Sequence, residues 1–248
     1  MSEVRLADRL IVALDLPPQE ARTVAGRLSG RARWVKVGMT AYYREGPALV
    51  RAMLEAGFEV FVDLKLHDIP HQVRGAAEAL GTLGSAMLTV HASGGAAMIE
   101  AAVEGARAGA GSAGIPSPAV VAVTILTSMD ARALASVGAA DEPAAQVARL
   151  TRLARDAGAA GVVCSPREAA AARALLGDDA VVVTPGVRPR WASTDDQVRV
   201  ATPAEALAAG ASHLVIGRPI TRAEDPAAAF DRIVTEAEGG RPWEGEPG

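Results

Sequence analysis

Eight short, largely apolar runs recur along the chain, at residues 10–14, 34–37, 60–64, 87–90, 120–125, 161–164, 181–183 and 213–216. Runs this short, rich in Val and Ile, read as strands buried on both faces, as in a parallel sheet. Between them lie Ala-rich segments of helical period, among them 47–56, 73–83, 96–108, 144–157 and 203–209. Gly57, Gly84, Gly158 and Gly210 follow such segments as helix C-cap punctuation and lead into the next strand. Strict alternation of eight strands with helices closes more naturally into a (β/α)8 TIM barrel than it spreads into an open doubly wound sheet, the alternative architecture. A chain of 248 residues suits one such barrel. It is read as a single α/β domain, with residues 1–8 as an N-terminal extension and 239–248 as a C-terminal tail. The irregular stretches are 109–118 and 184–203. The second follows a strand exit, where a barrel carries its active-site loops.

Composition narrows the partners. Aromatic residues make up 3% of the chain, so its core is built from small aliphatic layers. The net charge of −4, without a basic tract, argues against a nucleic-acid partner. A charged start and the lack of a bilayer-length apolar run lead to the expectation of a cytoplasmic protein without a membrane partner. The single cysteine, Cys164, permits neither an internal disulfide nor a cysteine metal site, and following Val162 and Val163 it reads as a small buried strand residue.

The most informative segment is Asp63-Leu64-Lys65-Leu66-His67-Asp68-Ile69-Pro70, at the exit of the third strand. Side chains alternate along a strand, which sets Asp63 and Lys65 on one face. Asp68 falls at the turn into a helix whose first turn holds Pro70. Asp15 ends the first strand, and Lys36 lies inside the apolar second one. A lysine is costly to bury unless an anion meets it. Neighbouring strands 1, 2 and 3 therefore supply Asp15, Lys36, Asp63 and Lys65 to one alternating charge cluster. An ion-pair network fastening strand ends is the plain alternative for an isolated Asp-x-Lys.

A second constellation lies at the exits of strands 7 and 8, in Thr184-Pro185-Gly186-Val187-Arg188 with Gln197, and in Gly217-Arg218-Pro219. Those exits commonly bind phosphate in barrels. Gly217 lets the backbone approach, and Arg218 can grip phosphate oxygens in pairs. His67, His71, His91 and His213 lack metal-site spacing. The first two and His213 read as structural or surface residues, whereas His91, at the fourth strand exit, falls near the site.

Together these blocks, with Val35-Lys36-Val37-Gly38, Thr89-Val90-His91-Ala92, Thr127-Ser128 and Gly186-Val187-Arg188, resemble the orotidine 5′-phosphate decarboxylase family in its bacterial branch. The resemblance implies decarboxylation of a nucleotide to UMP without metal or cofactor. Lys65 would protonate the carbanion at C6, with Lys36, Asp63 and Asp68 completing the network. It further implies a homodimer in which Asp68 reaches the neighbouring site. Asp15 would bind ribose, Thr127 and Ser128 the pyrimidine, and Arg188, Gln197 and Arg218 the phosphate, with 188–197 as a closing lid. Lys36, Asp63, Ile69, Gln72 and Gly217 join the substrate-binding set. The chain departs from the family where His71 and Gln72 replace its usual Asn-Thr, and the threonine normally contributes across the dimer. Magnesium-dependent barrel relatives share the Asp-x-Lys-x-x-Asp pattern but carry an acidic metal ligand where Lys36 stands. They are the nearest rival reading.

Overall fold

In the computed structural model, which describes residues 5–139, 142–192 and 201–239, the apolar runs form a closed parallel barrel with neighbours in chain order. Its strands are β1 (Leu10–Ala13), β2 (Trp34–Gly38), β3 (Glu59–Leu66), β4 (Met87–His91), β5 (Ala119–Val123), β6 (Gly161–Val163), β7 (Val181–Pro185) and β8 (His213–Ile216). Helices return the chain to the barrel base: α1 (Pro18–Leu28), α2 (Met39–Glu45), α3 (Pro47–Glu55), α4 (Pro70–Gly81), α5 (Ala96–Ala113) and α6 (Ala131–Ser136). They continue as α7 (Pro143–Asp156), α8 (Ala169–Leu176), α9 (Pro203–Ala208), α10 (Arg218–Thr221) and α11 (Pro226–Ala237). Prolines open most of them, where the missing N–H costs nothing. The stretch read as an N-terminal extension ends in a 3₁₀ turn, residues 6–9, that leads into β1.

Alternation along each strand divides the core in two. Leu10, Val12, Val35, Val37, Val60 and Val62 pack outward against the helices, whereas Ile11, Trp34, Phe61, Met87, Val121, Val163, Val183 and Val215 fill the barrel. Because both faces are covered, continuous apolar runs rather than alternating ones mark the strands.

One expectation is corrected. Residues 109–113, read as part of an irregular stretch, continue α5 to Ala113. Gly109, like Gly105 one helical turn before it, is a contact residue and not a breaker. A β-carbon at Gly105 would lie 2.3 Å from the Arg74 carbonyl oxygen, and one at Gly109 2.0 Å from that of Glu78, both on α4. From the other side, one at Gly81 would lie 2.5 Å from the Ala106 oxygen. The close crossing of α4 and α5 sustains the helix despite the propensity cost of glycine. The helix stops at Gly114, whose left-handed conformation (φ 67°, ψ 30°) caps it.

At the barrel base the His213 imidazole meets Trp34 edge to face, with centroids 5.2 Å apart. Burial, then the fields of Arg9 and Arg33, push that imidazole down to about 4. An unfolded histidine titrates near 6.5, so between these values only the unfolded chain takes up the proton. The contribution to stability is complete above about pH 6.5 and falls by roughly 3 kcal/mol as pH drops toward about 4. The urea midpoint of His213→Gln, which cannot titrate, is expected to fall less between pH 7 and pH 5 than that of the parent.

Candidate active site

The mouth of the barrel holds a cavity of about 480 Å3, within the range of small-molecule sites. One side is lined by Asp15, Lys36, Asp63 and Lys65 from the exits of β1, β2 and β3. Lys36 Nζ lies 2.8 Å from Asp15 Oδ1 and 3.2 Å from Asp63 Oδ2. Lys65 Nζ lies 2.8 Å from Asp63 Oδ1. Charge thus alternates across three strands in the order acid, lysine, acid, lysine.

The cluster is graded in exposure. The Lys36 and Asp63 side chains are 8% and 9% exposed, and Asp15 at the rim is 52% exposed. Burial alone would drive the Lys36 ammonium down, but Asp63 and Asp15 outweigh it and hold its pKa above the ordinary lysine value. Burial would likewise raise the Asp63 carboxyl, yet Lys36 and Lys65 together hold it below the usual carboxylate range. Both groups keep their charges at neutral pH because each is the other's counterion.

Lys65 reaches the cavity by a route that pleat alternation does not describe. The β3–β4 register shifts between Val62 and Leu66, and Lys65 has φ +52°, the single positive φ of a non-glycine residue among the described residues. Such a conformation costs on the order of 1–3 kcal/mol and persists only where surrounding contacts enforce it. Here the Lys65 backbone N–H donates to Thr89 Oγ1 at 2.8 Å, and the Thr89 hydroxyl donates to Asp63 Oδ1 at 3.0 Å.

Thr89, fully buried on β4, enters the sequence reading only within a family-matching block, with no role of its own. Gly38 likewise has no role assigned from sequence; a β-carbon there would sit 2.4 Å from Asp15 Oδ1 and 2.8 Å from Lys36 Nζ. Any larger residue there would displace the ends of Asp15 and Lys36 from their observed positions.

The other side of the cavity is basic. Arg188 after β7, and Gly217 and Arg218 after β8, line it together with Arg222. Arg222 was also missed, although it lies four residues after Arg218, a spacing that stacks two side chains on one helical face. Between the two charged sides the lining is apolar, with Phe61, Val123, Val163 and Val215 below and Ile125 and Leu126 above. Thr127 lines the cavity, whereas Ser128 is absent from the lining. Gln197 falls outside the described residues.

Asp68, Ile69 and Gln72 are exposed at the start of α4 and do not line the cavity of a single chain. The Asp68 carboxylate instead accepts the Ile69 backbone N–H at 2.7 Å. His91 stands against His67 with centroids 5.2 Å apart, and burial, His67 and Lys65 keep its pKa below the ordinary value. Cys164 is buried after β6, and burial and Glu168 push its thiol up to about 12, which keeps it protonated at neutral pH.

A model of the orotidine 5′-phosphate decarboxylase / HUMPS family matches residues 8–233. The chain belongs to this family. It is 51% identical over 240 residues to an orotidine 5′-phosphate decarboxylase of Moorella thermoacetica, covering 96% of this chain and 95% of the relative. It is also 51% identical over 228 residues to one from Anaeromyxobacter sp. strain K, covering 92% and 97%. Among solved structures, orotidine 5′-phosphate decarboxylase from Lactobacillus acidophilus superposes with a TM-score of 0.82 at 39% identity, covering 93% of this chain and 99% of that one. The decarboxylase-family chain thus joins a buried, alternating charge cluster to an arginine-rich wall across a small cavity.

Proposed function

We propose that the chain is a carboxy-lyase that converts orotidine 5′-phosphate to UMP and CO2 in de novo pyrimidine biosynthesis, with Lys65 as proton donor and without metal or cofactor. The observation that carries this reading is the position of Lys36, whose ammonium stands between Asp15 and Asp63 with Lys65 on the far side of Asp63. Magnesium-dependent relatives need an acid at that point. A buried ammonium there repels a divalent cation instead.

The chemistry follows from charge. The bond from C6 to the carboxyl group breaks, its electron pair stays on C6, and CO2 departs. A fixed ammonium stabilises the resulting carbanion more than it stabilises the neutral ring carbon, which is the differential binding that lowers a barrier. An N–H bond of Lys65 then breaks toward C6, giving UMP and a neutral amine that regains its proton from water. Asp63 holds Lys65 in place by its 2.8 Å contact, and Lys36 keeps Asp63 ionised.

Arg188 and Arg218 would bind the phosphate across the cavity, with Gln197 assisting. Binding energy gained there is expressed at the remote reacting carbon. Asp15 would hold the ribose, and Thr127 and Ser128 the pyrimidine. The exposure of Asp68, Ile69 and Gln72 in one chain agrees with a homodimer in which they complete the neighbouring site, the Gln72 amide standing where relatives carry threonine.

The test is the ultraviolet absorbance change of orotidine 5′-phosphate mixed with the protein in excess EDTA. Decarboxylation is expected at the rate seen without chelator. Activity abolished by EDTA and restored by Mg2+ would favour the metal-dependent rival.

A further inference from the structure

We propose that Thr89 is a positioning residue for the proton donor, its one hydroxyl fixing both the strained backbone of Lys65 and the carboxylate that holds the Lys65 amine. The inference rests on the assignment of Lys65 as donor and adds a residue on a different strand.

Three contacts close a ring. The Lys65 N–H donates to Thr89 Oγ1 at 2.8 Å, the Thr89 hydroxyl donates to Asp63 Oδ1 at 3.0 Å, and that same Oδ1 accepts from Lys65 Nζ at 2.8 Å. A hydroxyl has one proton to give and lone pairs to receive another, so a single Oγ can serve both neighbours. The ring lies where the β3–β4 ladder is interrupted, between Val62 and Leu66. There the Thr89 side chain accepts an N–H that a regular ladder would give to a carbonyl of β4. Without that acceptor the Lys65 N–H would be left unsatisfied, and the left-handed conformation at Lys65 would lose the contact that enforces it. The backbone of Lys65 and its amine are therefore held from two sides through one threonine.

Other buried threonines do not resemble this one. Thr124 donates to the Val163 carbonyl, a backbone contact between neighbouring strands. Thr89 alone among the described residues joins a buried hydroxyl to the charge cluster.

The test compares Thr89→Val, which keeps the shape and removes the hydroxyl, with Thr89→Ala and Thr89→Ser. Each is measured for kcat and KM on orotidine 5′-phosphate, for UMP affinity and for melting temperature. A misplaced donor is expected to lower kcat in Thr89→Val and Thr89→Ala by about 10²-fold. KM and UMP affinity should stay near the parent values, because the arginine wall is on other strands. Thr89→Ser should recover most of kcat. Should Thr89→Val fail to fold, the alanine and serine variants carry the same comparison. Parental kcat in a variant without the hydroxyl, or a serine variant as slow as the alanine one, overturns the proposal. Lys65→Ala, run alongside, separates the two assignments. If it turns over like the parent, the donor assignment itself falls. If it is inactive while Thr89→Val is parental, only the role of Thr89 falls.

Discussion

Lys65→Ala is expected to remove nearly all decarboxylation while leaving the protein folded and able to bind UMP. Two contributions vanish together. A positioned general acid is worth about 10²- to 10⁴-fold, and a fixed charge facing a developing anion about 10²- to 10³-fold. A fall in kcat of roughly 10⁴-fold or more is therefore anticipated. Binding should survive because Arg188 and Arg218 line the opposite side of the cavity and make no use of Lys65. The fold should survive because the Lys65 side chain is 26% exposed, and its loss leaves Asp63 paired with Lys36. Loss of absorbance from orotidine 5′-phosphate gives the rate, and calorimetric titration with UMP gives the affinity. Decarboxylation comparable to the parent would contradict Lys65 as donor.

The second large effect is expected at Asp63, where one carboxylate serves two lysines. Asp63→Asn preserves the shape but leaves Lys36 and Lys65 facing a neutral amide, whose oxygen can accept from one ammonium while its NH2 group turns a donor toward the other. Lys36, 8% exposed, then keeps only the rim carboxylate of Asp15. Breaking a buried pair from one side costs about 3–5 kcal/mol, because a charge remains without its partner. A comparable loss of stability in urea denaturation is expected, together with a collapse of kcat. The sign of the pH dependence follows from Asp63, whose folded pKa lies below its unfolded value. Its contribution is fully present above the ordinary carboxylate pKa and is lost as pH falls through the lower, folded value. The gap between parent and variant should therefore hold from pH 7 to about 5 and narrow only in stronger acid. A variant as stable as the parent at pH 7 would mean that Lys36 is held by Asp15 alone.

Much of the site could be read directly because strand residues carry two kinds of information at once. Lys36 stands in an otherwise apolar strand, and the cost of burying it demands an anion nearby. Asp15 follows one of the two strands that flank it, and Asp63 lies within the other. Chain order supplies those neighbours, since consecutive strands of a parallel barrel lie side by side. The arginines at the exits of β7 and β8 follow from the same rule. The length of α5 did not, because Gly109 looks like a helix breaker until α4 is seen to pass within contact of it.

What the chain order and periodicity determine by themselves is the barrel, the inward and outward faces of its strands, and the charged residues gathered at one mouth. These depend on alternation and on the energy of burying charge, both local properties of a segment. The tertiary structure alone decides that Lys65 is reached through a register shift and a left-handed turn, that the Thr89 hydroxyl braces it, and that Gly38 makes room for Asp15 beside Lys36. It also decides that Asp68 and Gln72 stand outside the cavity of their own chain. Each of these depends on which atoms of distant segments come within 3 Å or so of one another, a distance scale that hydrogen bonding sets and that no periodicity along one segment encodes.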